Sequence, residues 1–341
     1  MTSAKDFKDK TILFCVLNWG LGHATRSARI IQDLIVSDNE IILLSDGQAL
    51  KFLRIRFPQI QYYQAPSYGV KYPSGDKGVL PFIFPQIPRI LKAINAEHNQ
   101  VSAILKAKTV DLIISDNRYG CHHKETPSIF LGHQLNLGAG SIYYLVNRSH
   151  AKWINKFSAL WVPDDENRSL SGSLSSNKHI KIPQSFVGDL GQFPKAQSEA
   201  TKDIDCLILL SGIEEQREAL ESKLRDLNWP QDKKVVFVRG IIKPRETLER
   251  SGLEIRDFAE QEELKDLLAR SKAVLCRSGY STVMDLQPFD LIRVFVPTPG
   301  HNEQIYLAKR SSSLSTSTSF TLNQKHLKEE RLFKLLCLDK N

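Results

Sequence analysis

A chain of 341 residues exceeds what one hydrophobic core usually organises, so two domains are the first expectation. Its 41% hydrophobic and 25% charged content is that of a soluble globular protein and excludes a disordered or collagen-like chain. The net charge of +8 suits polyanionic partners such as nucleic acid, nucleotide phosphates or an anionic membrane face, and equally a plainly basic surface, because no long basic run occurs.

From the N-terminus, Thr11–Leu17 is a continuous apolar run, the pattern of a parallel strand buried on both faces. A glycine turn, Asn18 to His23, leads into a helix from about Ala24 to Val36 with Ile30, Ile31, Leu34 and Ile35 on its apolar face. Glu40–Ser45 reads as a second strand and Gln48–Phe57 as a helix, and this alternation argues for α/β layering around a parallel sheet. Gln61–Tyr63 begins a third strand that opens into a loop rich in Tyr, Pro, Gly and Ser. Val79–Leu91 is apolar and broken by prolines, and a long helix continues to about Lys106. Asp111–Ser115, Thr126–Leu131 and Ser158–Val162 complete the strands of this half, with 158–162 the last.

Composition then shifts. Residues 1–187 are expected to form one Rossmann-like domain, 188–203 a linker, and 204–341 a second domain with a terminal helix. The alternation restarts with a strand at Asp205–Leu210, the turn Ser211-Gly212, and a helix from Glu214 to about Leu227. Lys233–Arg239 and Leu253–Phe258 read as strands and Gln261–Ala269 as a helix. Ala273–Cys276 is a strand feeding the small-residue turn Arg277-Ser278-Gly279 and then a helix carrying Ser281, Thr282 and Asp285. Leu291–Val296 is a strand, a helix starts near Asn302, Ser311–Ser319 reads as loop, and Lys325–Cys337 as an amphipathic helix. Two doubly wound halves facing a cleft are the simplest architecture.

Five cysteines, Cys15, Cys121, Cys206, Cys276 and Cys337, lack any Cys-x-x-Cys spacing, and three stand in apolar strand-like runs, so reduced core thiols of a cytoplasmic protein are expected. The polar N-terminal segment lacks the apolar core of a signal peptide. The longest uncharged apolar stretch, 78–88, contains Pro81, Pro85 and Pro88 and is too short to span a bilayer. Residues 79–91 suit either a packed helix face or a patch that touches lipid, flanked as they are by Arg89 and Lys92.

In open α/β sheets ligands collect at the carboxyl ends of the strands, and candidate polar residues stand there in both halves. They are His23, Asp116 and His133 in the first, and Ser211, Arg277, Ser281, Asp285 and Gln304 in the second. Gly20 and Gly22 form a tight turn whose N–H groups can cradle an anion, with His23 at the helix start as a general base or phosphate contact. The third glycine of a dinucleotide fingerprint is absent, because Thr25 stands there. Asp116 either orients His23 and stabilises its imidazolium or caps its own loop, and both readings stay open. Arg277-Ser278-Gly279 gathers unpaired N–H groups that favour phosphate, beside Asp285 as an acceptor for sugar hydroxyls. Cys121-His122-His123 lacks a second ligand pair, so no metal site is expected. No aromatic–basic stacking motif accompanies the charge, so nucleic acid is not expected.

The run Cys276 to Asp285 (CRSGYSTVMD), followed by Val296 to Gln304 (VPTPGHNEQ) and Ala308, resembles the donor half of GT-B glycosyltransferases. The similarity is to the MurG-like group, glycosyltransferase family 28, and within it to uncharacterised proteins with a Gly-Leu-Gly-His-Ala-Thr-Arg turn and a Ser-Asp-Asn-Arg-Tyr-Gly loop, as at 20–26 and 115–120 here. The resemblance implies transfer of a sugar from a nucleotide-sugar donor, usually a UDP-sugar, to a hydroxyl acceptor, without a bound metal or other cofactor. It implies that Asp285 binds the ribose hydroxyls, Gln304 the donor sugar, and Ser211, Gly212, Ser281 and Thr282 the diphosphate edge. Phe258 and Ala259 would lie against the base, Arg277 would offset diphosphate charge, and His23 would face the acceptor. A lipid-linked acceptor and peripheral membrane contact through 79–91 are further implications. This chain departs from the group at Asp285, where the pattern has Glu, and at Ser211-Gly-Ile-Glu-Glu215, where it has more glycines. A non-hydrolysing sugar-nucleotide 2-epimerase, or a nucleotide-sugar binding protein without turnover, shares the same expected donor site.

Overall fold

The computed structural model describes residues 3–71, 84–138, 141–193, 200–241, 253–313 and 318–338. The chain divides into two compact units, one running to Leu190 and the other starting at Gly191.

The first unit is a parallel sheet in the order β3-β2-β1-β4-β5-β6-β7. Its strands are β1 (Thr11–Val16), β2 (Glu40–Ser45), β3 (Gln61–Gln64), β4 (Leu112–Asp116), β5 (Ser128–Leu131), β6 (Ala159–Val162) and β7 (Gln184–Phe186). The helices are α1 (Gly22–Val36), α2 (Gly47–Arg56), α3 (Ile87–Ala107) and α4 (Ser141–Ile154). The apolar runs of β1, β2 and β4 are buried almost throughout, which is why they lie at the centre of a sheet covered on both faces. Leu13, Cys15, Ile42, Leu44 and Ile113 pack on Val101 and Ile104 of α3. The chain winds outward from β1 through β2 to β3, then returns to β4 on the other side of β1. Connections leaving β1 and β4 therefore diverge, and this switch point leaves a crevice at their carboxyl ends.

The second unit repeats the plan, with order β10-β9-β8-β11-β12-β13 and every pairing parallel. Its strands are β8 (Ile204–Leu209), β9 (Val235–Val238), β10 (Leu253–Arg256), β11 (Ser271–Cys276), β12 (Ile292–Phe295) and β13 (Ser319–Thr321). Its helices are α5 (Glu214–Arg225), α6 (Gln261–Arg270), α7 (Tyr280–Leu286), α8 (Asn302–Ser313) and α9 (Glu329–Leu335). Cys206, Ile208, Phe237, Leu275 and Val294 form one core with Leu220, Leu224, Trp229, Leu332 and Leu336.

Both sheets gain an edge strand beyond those expected. β7 lies past 158–162, and β13 starts on Ser319, the last residue of the serine-rich stretch expected to be loop, while Ser311–Ser313 close α8. Each edge strand has three residues and pairs on the one side that faces β6 or β12, too short for an apolar alternation to register. The expected terminal helix is divided: a 3-10 turn at Gln324–His326, capped by the Asn323 side chain, precedes α9. Of the apolar segment 79–91, residues 79–83 lie outside the described residues, 84–86 form a 3-10 turn, and 87–91 open α3. Among the described residues no helix is long and apolar enough to cross a membrane. Cys15, Cys121, Cys206 and Cys276 are buried and Cys337 is exposed.

Candidate functional site

The chain leaves β1 through Gly20, whose φ of +72° is the left-handed conformation that favours glycine, and enters α1 at Gly22. His23, Arg26 and Ser27 stand three and four residues apart and so share one face of the first two turns. That face meets Asp116, the last residue of β4, at the switch point. The Asp116 carboxylate is fully buried and accepts from four side chains. His23 Nδ1 lies 2.8 Å from Oδ1, and Arg26 forks onto both oxygens, with Nε 2.8 Å from Oδ2 and Nη2 on Oδ1. Ser27 Oγ donates to Oδ2 at 2.9 Å and Asn117 Nδ2 to Oδ1 at 3.3 Å. Burial by itself raises the affinity of this carboxyl for a proton, but the Arg26 cation and then His23 outweigh it and hold Asp116 well below the usual carboxylate range.

The tautomer of His23 follows. An ionised carboxylate only accepts, so His23 Nδ1 carries the proton and donates it to Asp116, which leaves the lone pair on Nε2. Arg26 Nη2, 2.9 Å from the same Nδ1, is a second donor converging on Oδ1 and makes no hydrogen bond to the imidazole. His23 is 15% exposed while Asp116 is wholly enclosed, the arrangement of a base backed by a buried carboxylate.

A second buried network braces the turn after β4. Arg118 donates through Nε to Val16 O at 2.9 Å, through Nη1 to Glu97 at 2.7 Å, and through Nη2 to Asp46. Glu97 also accepts from Tyr68 Oη at 2.9 Å and from the Gly120 N–H at 3.1 Å. Burial pushes Glu97 up to about 7 against the pull of Arg118, Tyr68 and Gly120. Two acidic partners keep Arg118 fully charged in spite of its burial. The arginine thereby ties the ends of β1 and β2 and the helix α3 to the segment that presents Asp116 and Asn117. Asn117 adopts φ +57°.

In the second unit, Asp285 on α7 is half-buried and accepts from Gln192, whose backbone N–H lies 2.7 Å and side-chain Nε2 2.9 Å from its two oxygens. Ser278, buried, donates to the Gln304 carbonyl at 2.7 Å, and the Gln304 Oε1 accepts the Thr298 N–H at 2.8 Å. Gly279 is the N-terminal flank of α7, with Ser281 and Thr282 half-buried in its first turn. Gly212 has φ +104° with open space where a Cβ would stand, so conformation and not crowding calls for glycine beside Ser211. Phe258 is half-buried and Ala259 buried in the loop after β10.

Arg277 differs from its expected role. It is 2% exposed and its guanidinium donates to the carbonyls of Val296 and Gln216, each at 2.8 Å. The charge is thus directed into the protein, and burial lowers its proton affinity to about 10. Among the described residues no group of three or more His, Cys, Asp and Glu side chains is placed to hold a metal ion.

The structure therefore brings His23 together with Asp116, and Ser278 with Gln304. It adds Arg26, Ser27, Arg118 and Gln192, which the sequence reading left without a role. For Arg26 a signal existed, because a residue three positions after His23 on a helix must share its face.

In sequence comparison no protein-family profile and no curated protein matches the chain. Solved structures do match over nearly its full length. Arabidopsis thaliana UGT89C1 complexed with UDP-L-rhamnose is 15% identical with a TM-score of 0.64, covering 97% of this chain and 90% of its own. The glycosyltransferase SnogD from Streptomyces nogalater is 13% identical with a TM-score of 0.61, covering 96% and 91%. Acinetobacter baumannii MurG is 13% identical with a TM-score of 0.57, again covering 96% and 91%. Likeness at these identities shows the fold: the chain has the two Rossmann-like domains of the GT-B glycosyltransferases.

Proposed function

We propose that this protein is a glycosyltransferase that moves a sugar from a nucleoside-diphosphate sugar, with a UDP-sugar as the first choice, to a hydroxyl acceptor. The observation that carries the reading is the His23–Asp116 pair at the β1–β4 switch point of a GT-B fold, with the imidazole Nε2 lone pair directed away from its carboxylate. His23 Nε2 takes the acceptor's hydroxyl proton as that oxygen bonds to the anomeric carbon. The bond from that carbon to the diphosphate oxygen breaks, and its electron pair leaves with the diphosphate. Asp116 offsets the imidazolium formed.

The donor is assigned to the second unit, whose run Cys276 to Asp285 carries the resemblance to a donor half, and a nucleotide sugar as the donor is in line with the UDP-L-rhamnose complexed with the Arabidopsis protein. Asp285, which accepts from Gln192 through both oxygens, is proposed to meet the ribose hydroxyls, since an ionised carboxylate is an acceptor only. Gln304 is proposed to meet the sugar, the segments Ser211-Gly212 and Ser278–Thr282 the diphosphate, and Phe258 with Ala259 the base. The reading needs no metal and places the enzyme in the cytoplasm. Phe84, Ile87 and Leu91, 58%, 38% and 39% exposed, give it an apolar surface for a lipid-linked acceptor or a membrane face.

The test is release of nucleoside diphosphate from a panel of nucleotide sugars, with and without hydroxyl acceptors, by the wild type, His23→Ala and Asp285→Ala. His23→Ala is expected to lose at least ~100-fold in turnover with donor affinity kept, as removal of a general base does. Asp285→Ala is expected to weaken UDP binding by calorimetry. Unchanged turnover and affinity in both variants would sink the assignment.

A further inference from the structure

Asp116 serves two partners of different kinds. Arg26, 2% exposed, is a permanent cation and grips the carboxylate through a two-point fork, the strongest geometry available to it. His23 shares Oδ1 at 2.8 Å and is the partner whose charge can change. Among the described residues, the charged and titratable groups at this site include His23 and Arg26 from α1, Asp116 from β4 and, against the Arg26 guanidinium, His133 from the segment after β5. Arg26 and Asp116 cancel each other in formal charge. Without that cation, Ser27 and Asn117 still donate to the buried carboxylate but bring no charge, so the compensation falls to the imidazole and favours a proton on both of its nitrogens.

We propose that Arg26 is a positioning residue that takes up the charge of Asp116, so that His23 rests as a neutral imidazole with its proton on Nδ1 and its lone pair on Nε2. The consequence for catalysis rests on the glycosyltransferase reading above; the protonation state does not. A buried carboxylate whose charge is unshared favours the doubly protonated form of the histidine facing it, which lacks the lone pair that takes the acceptor's proton. With the carboxylate shared, Asp116 still orients the ring but leaves it unprotonated. His133 reports on the same group independently. Arg26 Nη1 stands 2.9 Å from His133 Nδ1 and can only donate, so His133 has its lone pair on Nδ1 and its proton on Nε2, the reverse of His23. One guanidinium thus separates two histidines in opposite tautomers.

The experiment is long-range proton–nitrogen NMR on the full chain labelled at histidine, in the wild type, Arg26→Gln and Arg26→Lys at pH 7.5. The expected wild-type spectrum has His23 neutral with Nδ1 protonated and His133 neutral with Nε2 protonated. In Arg26→Gln, His23 is expected to become imidazolium and His133 to lose its single tautomer. Arg26→Lys keeps the cation and is expected to restore a neutral His23. Where turnover is measurable, the acid limb of the Arg26→Gln pH–rate profile moves up by about one to three pH units while the Lys variant stays near the wild type. A wild-type His23 that is imidazolium at pH 7.5, or an Arg26→Gln His23 that stays neutral, overturns the proposal. If Arg26→Gln does not fold, the wild-type and Lys spectra still decide, since an imidazolium in either is fatal. A panel without any donor turnover alongside the expected spectra would count against the glycosyltransferase reading alone.

Discussion

Asp116 is the residue on which the first unit's chemistry and its stability meet. It is fully buried with Arg26, and replacing it with Asn leaves that cation enclosed without a counter-charge. Asp116→Asn is expected to cost about 3–5 kcal/mol, the usual penalty for breaking a buried ion pair from one side, measurable by urea denaturation. The pH dependence has a definite sign. The unfolded carboxyl titrates near 3.8 and the folded one lower, so the unfolded chain binds more protons as the medium is acidified. The stabilisation from Asp116 is fully present above about pH 5 and is lost as pH falls through 3.8 towards the folded value. Thermal melts from pH 7 to pH 3 should show this loss in the wild type and a smaller one in Asp116→Asn. His23 and Asp116 stand out in the sequence because Asp116 closely follows an apolar run and His23 follows one through a short glycine turn, both at a strand's carboxyl end. Arg118 does not, because nothing local says that a loop arginine will be enclosed; its partners Asp46 and Glu97 are 72 and 21 residues away.

At the scale of elements, Arg118 ties together what the sheet alone does not. It reaches the β1 terminus, the residue after β2 and the middle of α3, and its removal strands two carboxylates in the interior. Arg118→Met is expected to destabilise the first unit by about 3–5 kcal/mol in chemical denaturation. Close approach of backbone to backbone is a separate tie. A Cβ on Gly120 would stand 2.2 Å from the Ile94 carbonyl and 2.7 Å from Glu97 Cβ, so α3 lies directly against the segment after β4. Gly120→Ala should push α3 outward and cost about 1–3 kcal/mol, as overpacking does, with amide exchange accelerated in residues 90–100. Central strands such as β1, β4, β8 and β11 are legible as apolar runs because burial on both faces demands them. β7 and β13 are not, because an edge strand of three residues makes its hydrogen bonds through the backbone and its identity comes from the neighbour it joins.

For the whole molecule, the two sheets share one winding order, outward on one side of the first strand and then outward on the other. Each has its own core: Leu13, Ile42 and Ile113 pack within the first unit, and Cys206, Phe237 and Leu275 within the second. Calorimetric unfolding is therefore expected to depart from a single two-state transition, with a calorimetric enthalpy larger than the van't Hoff value. Coincident transitions by tryptophan fluorescence and circular dichroism, with equal enthalpies, would contradict that expectation. The doubling of the plan is legible in the sequence as two trains of strand and helix separated by a change in composition. The Gln192–Asp285 bond is not, since it joins a glycine-flanked loop to a helix 93 residues away.

The distribution of thiols supplies an internal clock for these transitions. Four of the five cysteines are sealed in the cores of the two units, and Cys337 is open to solvent. Folded protein should consume one equivalent of a maleimide reagent quickly, then further equivalents at the rate at which each core opens. Cys15 and Cys121 time the first unit and Cys206 and Cys276 the second, so peptide mass spectrometry of labelled samples would assign a separate opening rate to each half without any ligand or substrate in hand.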